Sequence, residues 1–88
     1  MANHASALKR ARQSEKRRMQ NRMRKGEMRT AIKQVNTAVA AGDKDTANKA
    51  LQSAIPLIDR AGQRGVIHRR QASRSVSRLV ARVKAMSA

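Results

Sequence analysis

Residues 28–43 read MRTAIKQVNTAVAAGD, and this stretch indicates how the chain folds. Its apolar residues recur three or four positions apart, which places them along one face of an α-helix that needs a partner helix. Gly42 is typical of a helix end and Asp43 of the N-cap of a following helix, so a corner between two packed helices is predicted. The apolar residues of this face are Met28, Ala31, Ile32, Val35, Ala38 and Val39.

A second helix is predicted after Asp43, with Asp45 in its first turn, where a carboxylate suits the positive end of the helix dipole. Pro56 lies inside its apolar pattern and is expected to kink or break the helix, because proline has no backbone N–H to donate. The segment from Gly62 to Gly65 is predicted as the following turn. The apolar face consists of Ala47, Ala50, Leu51, Ala54, Ile58 and Ala61.

A third helix is predicted from about His68 to Met86, and no strand pattern is present in the sequence. The predicted fold is therefore all-α: one domain over residues 1–88, a three-helix bundle with a long, overhanging N-terminal helix. The third apolar face contains Ala72, Val76, Leu79, Val83 and Met86, with Val80 beside them.

The first helix is predicted to begin near Asn3 or Ser6 and to run to Ala41, which is longer than a bundle of this size can cover. Residues 9–25 carry basic side chains all round the helix and little apolar stripe. Because such a segment has no core of its own to pack on, we expect it to be frayed in the free protein and ordered against phosphate.

The charge balance predicts a polyanionic partner. The chain has 88 residues, of which 21 are Lys or Arg and 5 are Asp or Glu, so its formal net charge is +16. The net charge is +9 over residues 1–33, −1 over 34–59 and +8 over 60–88, so two basic arms flank a nearly neutral middle. No Phe, Tyr or Trp is available for an unpaired base to stack on. We therefore expect binding to the backbone and shape of folded RNA or duplex DNA.

Two rows of basic side chains locate this interface. One row lies roughly opposite the apolar stripe of the third helix, and the other lies well away from the apolar stripe of the first helix. A merely solvated surface usually mixes both signs of charge, whereas like charges four residues apart on a helix repel each other. The rows are Arg70, Arg74, Arg78 and Arg82 on the third helix, and Arg18, Arg22, Lys25, Arg29 and Lys33 on the first.

The candidate contacts extend from these rows into their flanks. Arg outnumbers Lys by 14 to 7, and the planar guanidinium suits bidentate contact with phosphate. His68, beside two arginines at a predicted helix start, is a candidate for a hydrogen bond to phosphate or ribose. The candidate RNA-binding residues are Lys9, Arg10, Arg12, Lys16, Arg17, Arg18, Arg22, Arg24, Lys25, Arg29, Lys33, His68, Arg69, Arg70, Arg74, Arg78 and Arg82.

The sequence does not favour catalysis or metal binding. It has no Cys, which excludes disulfides, thiolate zinc sites and cysteine nucleophiles. His4 and His68 are far apart, and Asp43, Asp45 and Asp59 match no cation-binding loop. Paired catalytic carboxylates, a Gly-rich phosphate loop and a nucleophile with its base are all missing from the sequence. We expect no enzymatic activity, no metal, no cofactor and no small-molecule substrate.

Two other classes of cationic protein compete with an RNA-binding one. Charge and helicity alone also suit a nucleoid-type DNA-compacting protein, which a preference for B-form over A-form shape would distinguish. A membrane-surface peptide is less favoured, because the basic half of the first helix has no apolar face and no Trp or Phe. The N-terminus has no apolar signal region and no stretch is apolar enough to span a bilayer, so a soluble intracellular protein is expected.

The order of several short segments resembles the bacterial small ribosomal subunit protein S-twenty family. The resemblance covers nearly the whole chain at colinear spacing, and its specificity lies in the order of the segments and the total length. The segments are Met1-Ala2-Asn3, Ser14-Glu15-Lys16, Met28-Arg29-Thr30 with Ile32-Lys33, Ala41-Gly42-Asp43, Lys49-Ala50, Pro56 with Ile58-Asp59, Gly65-Val66-Ile67-His68, Ala72, and Ser77-Arg78-Leu79.

This resemblance implies a three-helix bundle with an extended first helix. It also implies a structural protein of the cytoplasmic small ribosomal subunit in a bacterium, or in an organelle of bacterial descent. Such a protein binds the small-subunit (16S) ribosomal RNA directly and early, beside other ribosomal components, near the bottom of the particle body and chiefly in the 5′ domain. At matching positions the contacts would be the basic residues around Ser14-Glu15-Lys16, with Arg29, Lys33, His68, Arg69 and Arg70.

Overall fold

The computed structural model describes the backbone of residues 2–86 and the side chains of residues 4–86. Three α-helices follow one another: α1 (Ala2–Ala41), α2 (Lys44–Gln63) and α3 (Arg69–Lys84), and the described residues include no strand. The principal dimensions are 67, 21 and 14 Å, because α1 extends far beyond the bundle. The predicted all-α class and the long N-terminal helix are confirmed.

The first helix begins earlier than its predicted caps. It starts at Ala2, so Asn3 and Ser6 lie inside the helix and do not cap it. Neither Gly nor Pro occurs between Ala2 and Lys25, so nothing in this part of the chain interrupts the helix. Its predicted end at Ala41 is confirmed.

The corner between α1 and α2 has the predicted form. Gly42 adopts a φ of +75°, a left-handed conformation that glycine tolerates without a steric penalty. Asp43 caps α2: its Oδ1 accepts the backbone N–H of Thr46 at 3.1 Å, and its Oδ2 accepts the Thr46 hydroxyl at 2.6 Å. The side-chain and backbone hydrogen bonds from Thr46 lower the pKa of Asp43, because they favour its charged form.

Pro56 does not break α2, which is continuous from Lys44 to Gln63. Pro56 is exposed, while Ala54 and Ile58 on either side of it are fully buried. The helix therefore loses the single hydrogen bond that proline cannot donate, and packing of the buried face holds it together.

The predicted turn at Gly62 to Gly65 is partly wrong. The helix continues through Gly62 and Gln63, and the turn comprises residues 64–68, with Gly65 at a φ of +73°. Gly62 instead allows close helix packing, because a Cβ placed there would lie 2.8 Å from the Cβ of Ala72 in α3. Its lack of a side chain is therefore explained by a tertiary contact and not by the turn.

The third helix starts one residue after the predicted start, because His68 is its N-cap. It ends at Lys84, so Met86 lies beyond the helix but still packs, partly buried, against the core. The core is small and rich in alanine, and none of the described polar or charged residues is buried. Its buried members are Met28, Ala31, Val35, Ala38, Ala47, Ala54, Ile58, Ala61, Val66, Ala72, Leu79 and Val83.

Candidate nucleic-acid interface

The basic row of α1 is fully on the surface. The five residues from Arg18 to Lys33 that form this row are all exposed. Among the side chains of α1 that the structure describes, Met28 is the first that is buried, so Arg18 and Arg22 lie on the part that extends beyond the bundle, which we call the overhang (residues 4–27). Arg17, Arg18, Arg22 and Lys25 line one open groove along this helix.

The rest of the overhang is basic and unpacked. The candidate residues Lys9, Arg10, Arg12 and Lys16 are exposed, as is every described residue from 4 to 20. Large apolar side chains are also in contact with solvent here: Leu8 is 50%, Met19 63% and Met23 66% exposed. Residues 4–20 are helical without packing on the core, which leaves their basic side chains accessible from all directions.

The basic row of α3 meets that of α1 at its C-terminal end. All four of its arginines are exposed. A four-residue step turns about 40° past a full turn, so the row winds by about 120° around α3 from Arg70 to Arg82. Arg82 thus reaches the flank of α3 that faces α1, where its Nη1 donates a hydrogen bond of 2.7 Å to Oδ1 of Asn36.

The two rows meet at this contact and diverge from it. Asn36 lies three residues after Lys33 and continues the α1 row. Arg70 lies twelve residues before Arg82, which is about 18 Å along α3 and about 120° round it. The rows of α1 and α3 are therefore joined at Arg82, and the overhang prolongs the α1 row beyond the bundle.

His68 and Arg69 are placed differently from the α3 row. The Nδ1 atom of His68 accepts the backbone N–H of Arg70 at 3.1 Å, so this nitrogen is engaged in capping α3. The exposed Nε2 side of the ring is the part that can still contact a ligand. Arg69 lies in a cleft with Asp59 and Gln63 of α2.

The structure adds two arginines that the sequence reasoning did not select. Arg60 and Arg64 lie at the C-terminal end of α2, where they share a small cleft with Arg24 and Glu27 of α1. Their four-residue spacing was a signal that both lie on one face of α2. The proximity of Arg24 to this pair depends on how α1 packs on α2, which local spacing does not reveal.

Two absences bear on the candidate functions. Among the described residues, no group of three or more His, Cys, Asp or Glu is close enough to hold a metal ion. In the same part of the chain, none of the helices is sufficiently long and apolar to cross a membrane.

Comparison with known proteins identifies the family. A family model described as "Ribosomal protein S20" matches residues 2–84. Small ribosomal subunit protein bS20 of Yersinia enterocolitica is 54% identical over 86 residues, 98% of this chain and 99% of the relative. The bS20 protein of Thioalkalivibrio sulfidiphilus is 54% identical over 86 residues, 98% of this chain and 100% of the relative. The bS20 protein of Geotalea daltonii is 55% identical over 87 residues, 99% of this chain and 100% of the relative. The resemblance detected in the short segments is confirmed, and the chain belongs to the ribosomal protein S20 family.

Proposed function

We propose that this chain is a structural component of the small ribosomal subunit that binds 16S ribosomal RNA directly and stabilises its folding and assembly. The observation that carries this proposal is the pair of fully exposed basic rows on α1 and α3, which meet at Asn36 and Arg82. Relatives of the same length are named small ribosomal subunit proteins, which supports placing this chain in the same particle.

In the proposed mechanism, the chain neutralises RNA phosphates and holds RNA helices in a fixed relative orientation. RNA helices repel each other through their phosphates, and a rigid body with cations on two helices can bridge them and fix their orientation. The candidate residues named from the sequence are the proposed phosphate contacts, and the whole chain acts as one RNA-binding domain without a catalytic role. Since no aromatic side chain is available, recognition rests on backbone contacts and RNA shape.

The family assignment bears on the two competing functions, DNA compaction and membrane-surface binding, and on the cellular location of the protein. Neither the family model nor the relatives support a DNA-compacting protein. A membrane-surface role requires an amphipathic helix, and the overhang carries its charges all round. The proposed location is the ribosome of the bacterial cytoplasm, or of an organelle of bacterial descent, beside other ribosomal components.

Footprinting on intact 16S ribosomal RNA tests the proposal. The full chain is expected to protect a limited set of RNA helices from hydroxyl radicals. The packed helices hold their basic side chains in a fixed arrangement, which fits only some arrangements of RNA phosphates. Random duplex DNA at the same salt concentration serves as the comparison in a filter-binding titration. Equal affinity for that DNA, or protection spread evenly over the RNA, would contradict the proposal.

A further inference from the structure

A small cleft opens where α1 leaves the bundle and passes the end of α2. Its volume is about 60 Å³, and it is lined by Arg24 and Glu27 of α1 and by Leu57, Arg60 and Arg64 of the second helix and its cap. A cleft of this size has room for water or for a few oxygen atoms of a ligand.

The charges around this cleft favour an anion. Three guanidiniums and one carboxylate give a formal charge of +2 (3 − 1). Arg60, Arg64 and Glu27 are exposed and Arg24 is partly buried, so solvent screens much of the repulsion among the three cations, and an anion that enters between them relieves the remainder. Guanidinium groups also donate several N–H bonds in a fixed plane, the geometry that phosphate oxygens accept.

The backbone that carries these arginines differs between the two helices. The backbone N–H of Arg64 donates to the carbonyl of Arg60 at 2.9 Å, which keeps these two residues one helical turn apart at the end of α2. Arg24 lies at the bundle end of the overhang, partly buried, four residues before the core residue Met28. Leu57 packs against the core and forms the apolar wall of the cleft. A bound phosphate would therefore hold Arg24 against two arginines whose backbone is already fixed.

We propose that this cleft binds one phosphate group of the ribosomal RNA backbone through Arg24, Arg60 and Arg64. This inference rests on the proposed function, since the phosphate belongs to the same RNA. It extends the interface to α2, which contributes none of the candidate contacts predicted from the sequence. Because Arg24 lies one turn into the overhang, the bound phosphate also fixes the direction in which the overhang leaves the bundle.

Inorganic phosphate titrated into the ¹⁵N-labelled full chain, at constant ionic strength, tests the cleft without RNA. The arginine Nε–H signals of Arg24, Arg60 and Arg64 are expected to shift together and to saturate with one dissociation constant. Arg24→Gln and, independently, Arg60→Gln should each weaken phosphate about tenfold, the loss expected for one charged hydrogen bond. Lys84→Gln, which removes an exposed positive charge of α3 that is not among the candidate contacts, is the matched control and should leave this constant unchanged.

Glu27 provides a test in the opposite direction. Glu27→Gln removes the carboxylate from the cleft and should tighten phosphate binding several-fold, on the order of fivefold. Glu15→Gln makes the same change in net charge on the overhang, away from the cleft, and should have little effect. Equal tightening by both variants, or unsaturable shifts spread over all arginines, would overturn the inference and leave the proposed function standing.

A second arm uses 16S ribosomal RNA and the same variants. Arg24→Gln is expected to weaken RNA binding about tenfold more than Lys84→Gln does, and to remove one site of phosphorothioate interference. Retention of that site by both cleft variants would show that the RNA does not use the cleft and would overturn the inference. Failure of the unaltered chain to bind the RNA would instead overturn the proposed function, and this inference with it.

Discussion

Arg82 donates a hydrogen bond from Nη1 to Oδ1 of Asn36 across 2.7 Å, and this bond joins α3 to α1 over 46 residues of sequence. It connects the last arginine of one basic row to a neutral residue in line with the other. A neutral amide thereby holds a cation in place without cancelling its charge. The consequence is that Asn36 should influence RNA binding although it carries no charge.

Asn36→Ala should weaken binding to 16S ribosomal RNA about threefold to tenfold, because Arg82 then loses its orientation at the junction of the rows. The slope of log affinity against log salt should stay unchanged, since no cation is removed. Arg82→Gln, in contrast, should make that slope shallower by about 0.7 to 0.9. Asn48 is exposed on α2, so Asn48→Ala is the control for the loss of a side-chain amide elsewhere on the surface. A changed slope in Asn36→Ala would mean that Asn36 acts otherwise than by orienting Arg82.

The unaltered chain should bind folded ribosomal RNA with a steep dependence on salt. If about ten phosphates are contacted, log affinity should fall with log salt at a slope of about −7 to −9. Filter binding at several salt concentrations measures this slope directly. A slope near −2 would mean that only about two or three phosphates are neutralised, and would contradict contact along both basic rows.

Replacing Arg29 and Lys33 together by Ala should weaken RNA binding more than replacing Arg10 and Arg12. Both pairs are exposed and each double variant removes two positive charges, so the comparison is matched in charge. The first pair lies on the part of α1 that packs in the core, where the backbone is rigid and little entropy is lost on binding. Equal losses in a parallel titration would indicate that all of α1 acts as one rigid clamp.

The overhang should exchange its amide hydrogens quickly in the free protein. It is helical in the structure, but residues 4–20 are all exposed, so no packing stabilises that segment. Hydrogen exchange should show protection from about Met28 onward and little between residues 9 and 25, with protection gained there on RNA binding. Strong protection of residues 9–25 in the free monomer would rule this expectation out.

Gly62→Ala and Gly26→Ala should have opposite effects on stability. A methyl group at Gly62 would lie 2.8 Å from the Cβ of Ala72, so α2 and α3 must separate, at a cost of about 1–3 kcal/mol. At Gly26 nothing lies within 4 Å, so alanine should stabilise α1 by about 0.5–1 kcal/mol where the helix is folded in the free protein. Thermal unfolding followed by circular dichroism measures both changes. Ala72→Gly should rescue Gly62→Ala if the contact is the cause.

Local chemistry accounts for the parts of the fold that could be predicted. The helix end at Gly42 and the cap at Asp43 depend on residues within three positions, and both are confirmed. The roles of Gly62 and Pro56 could not be predicted in the same way. The role of Gly62 depends on how closely Ala72 of α3 approaches it. The effect of Pro56 depends on which face of α2 is exposed.

The same distinction applies to the candidate interface. The basic rows follow from helical spacing within one element, so their exposure could be foreseen. Their meeting at Asn36 and the cleft around Arg24, Arg60 and Arg64 could not, because each brings together residues more than thirty positions apart.

The alanine-rich core limits what the fold gains from its own packing. Six of its twelve buried residues are alanine, and each of these methyl groups buries little apolar surface. Any ligand that binds only the folded chain therefore adds by mass action to a stability that is small to begin with.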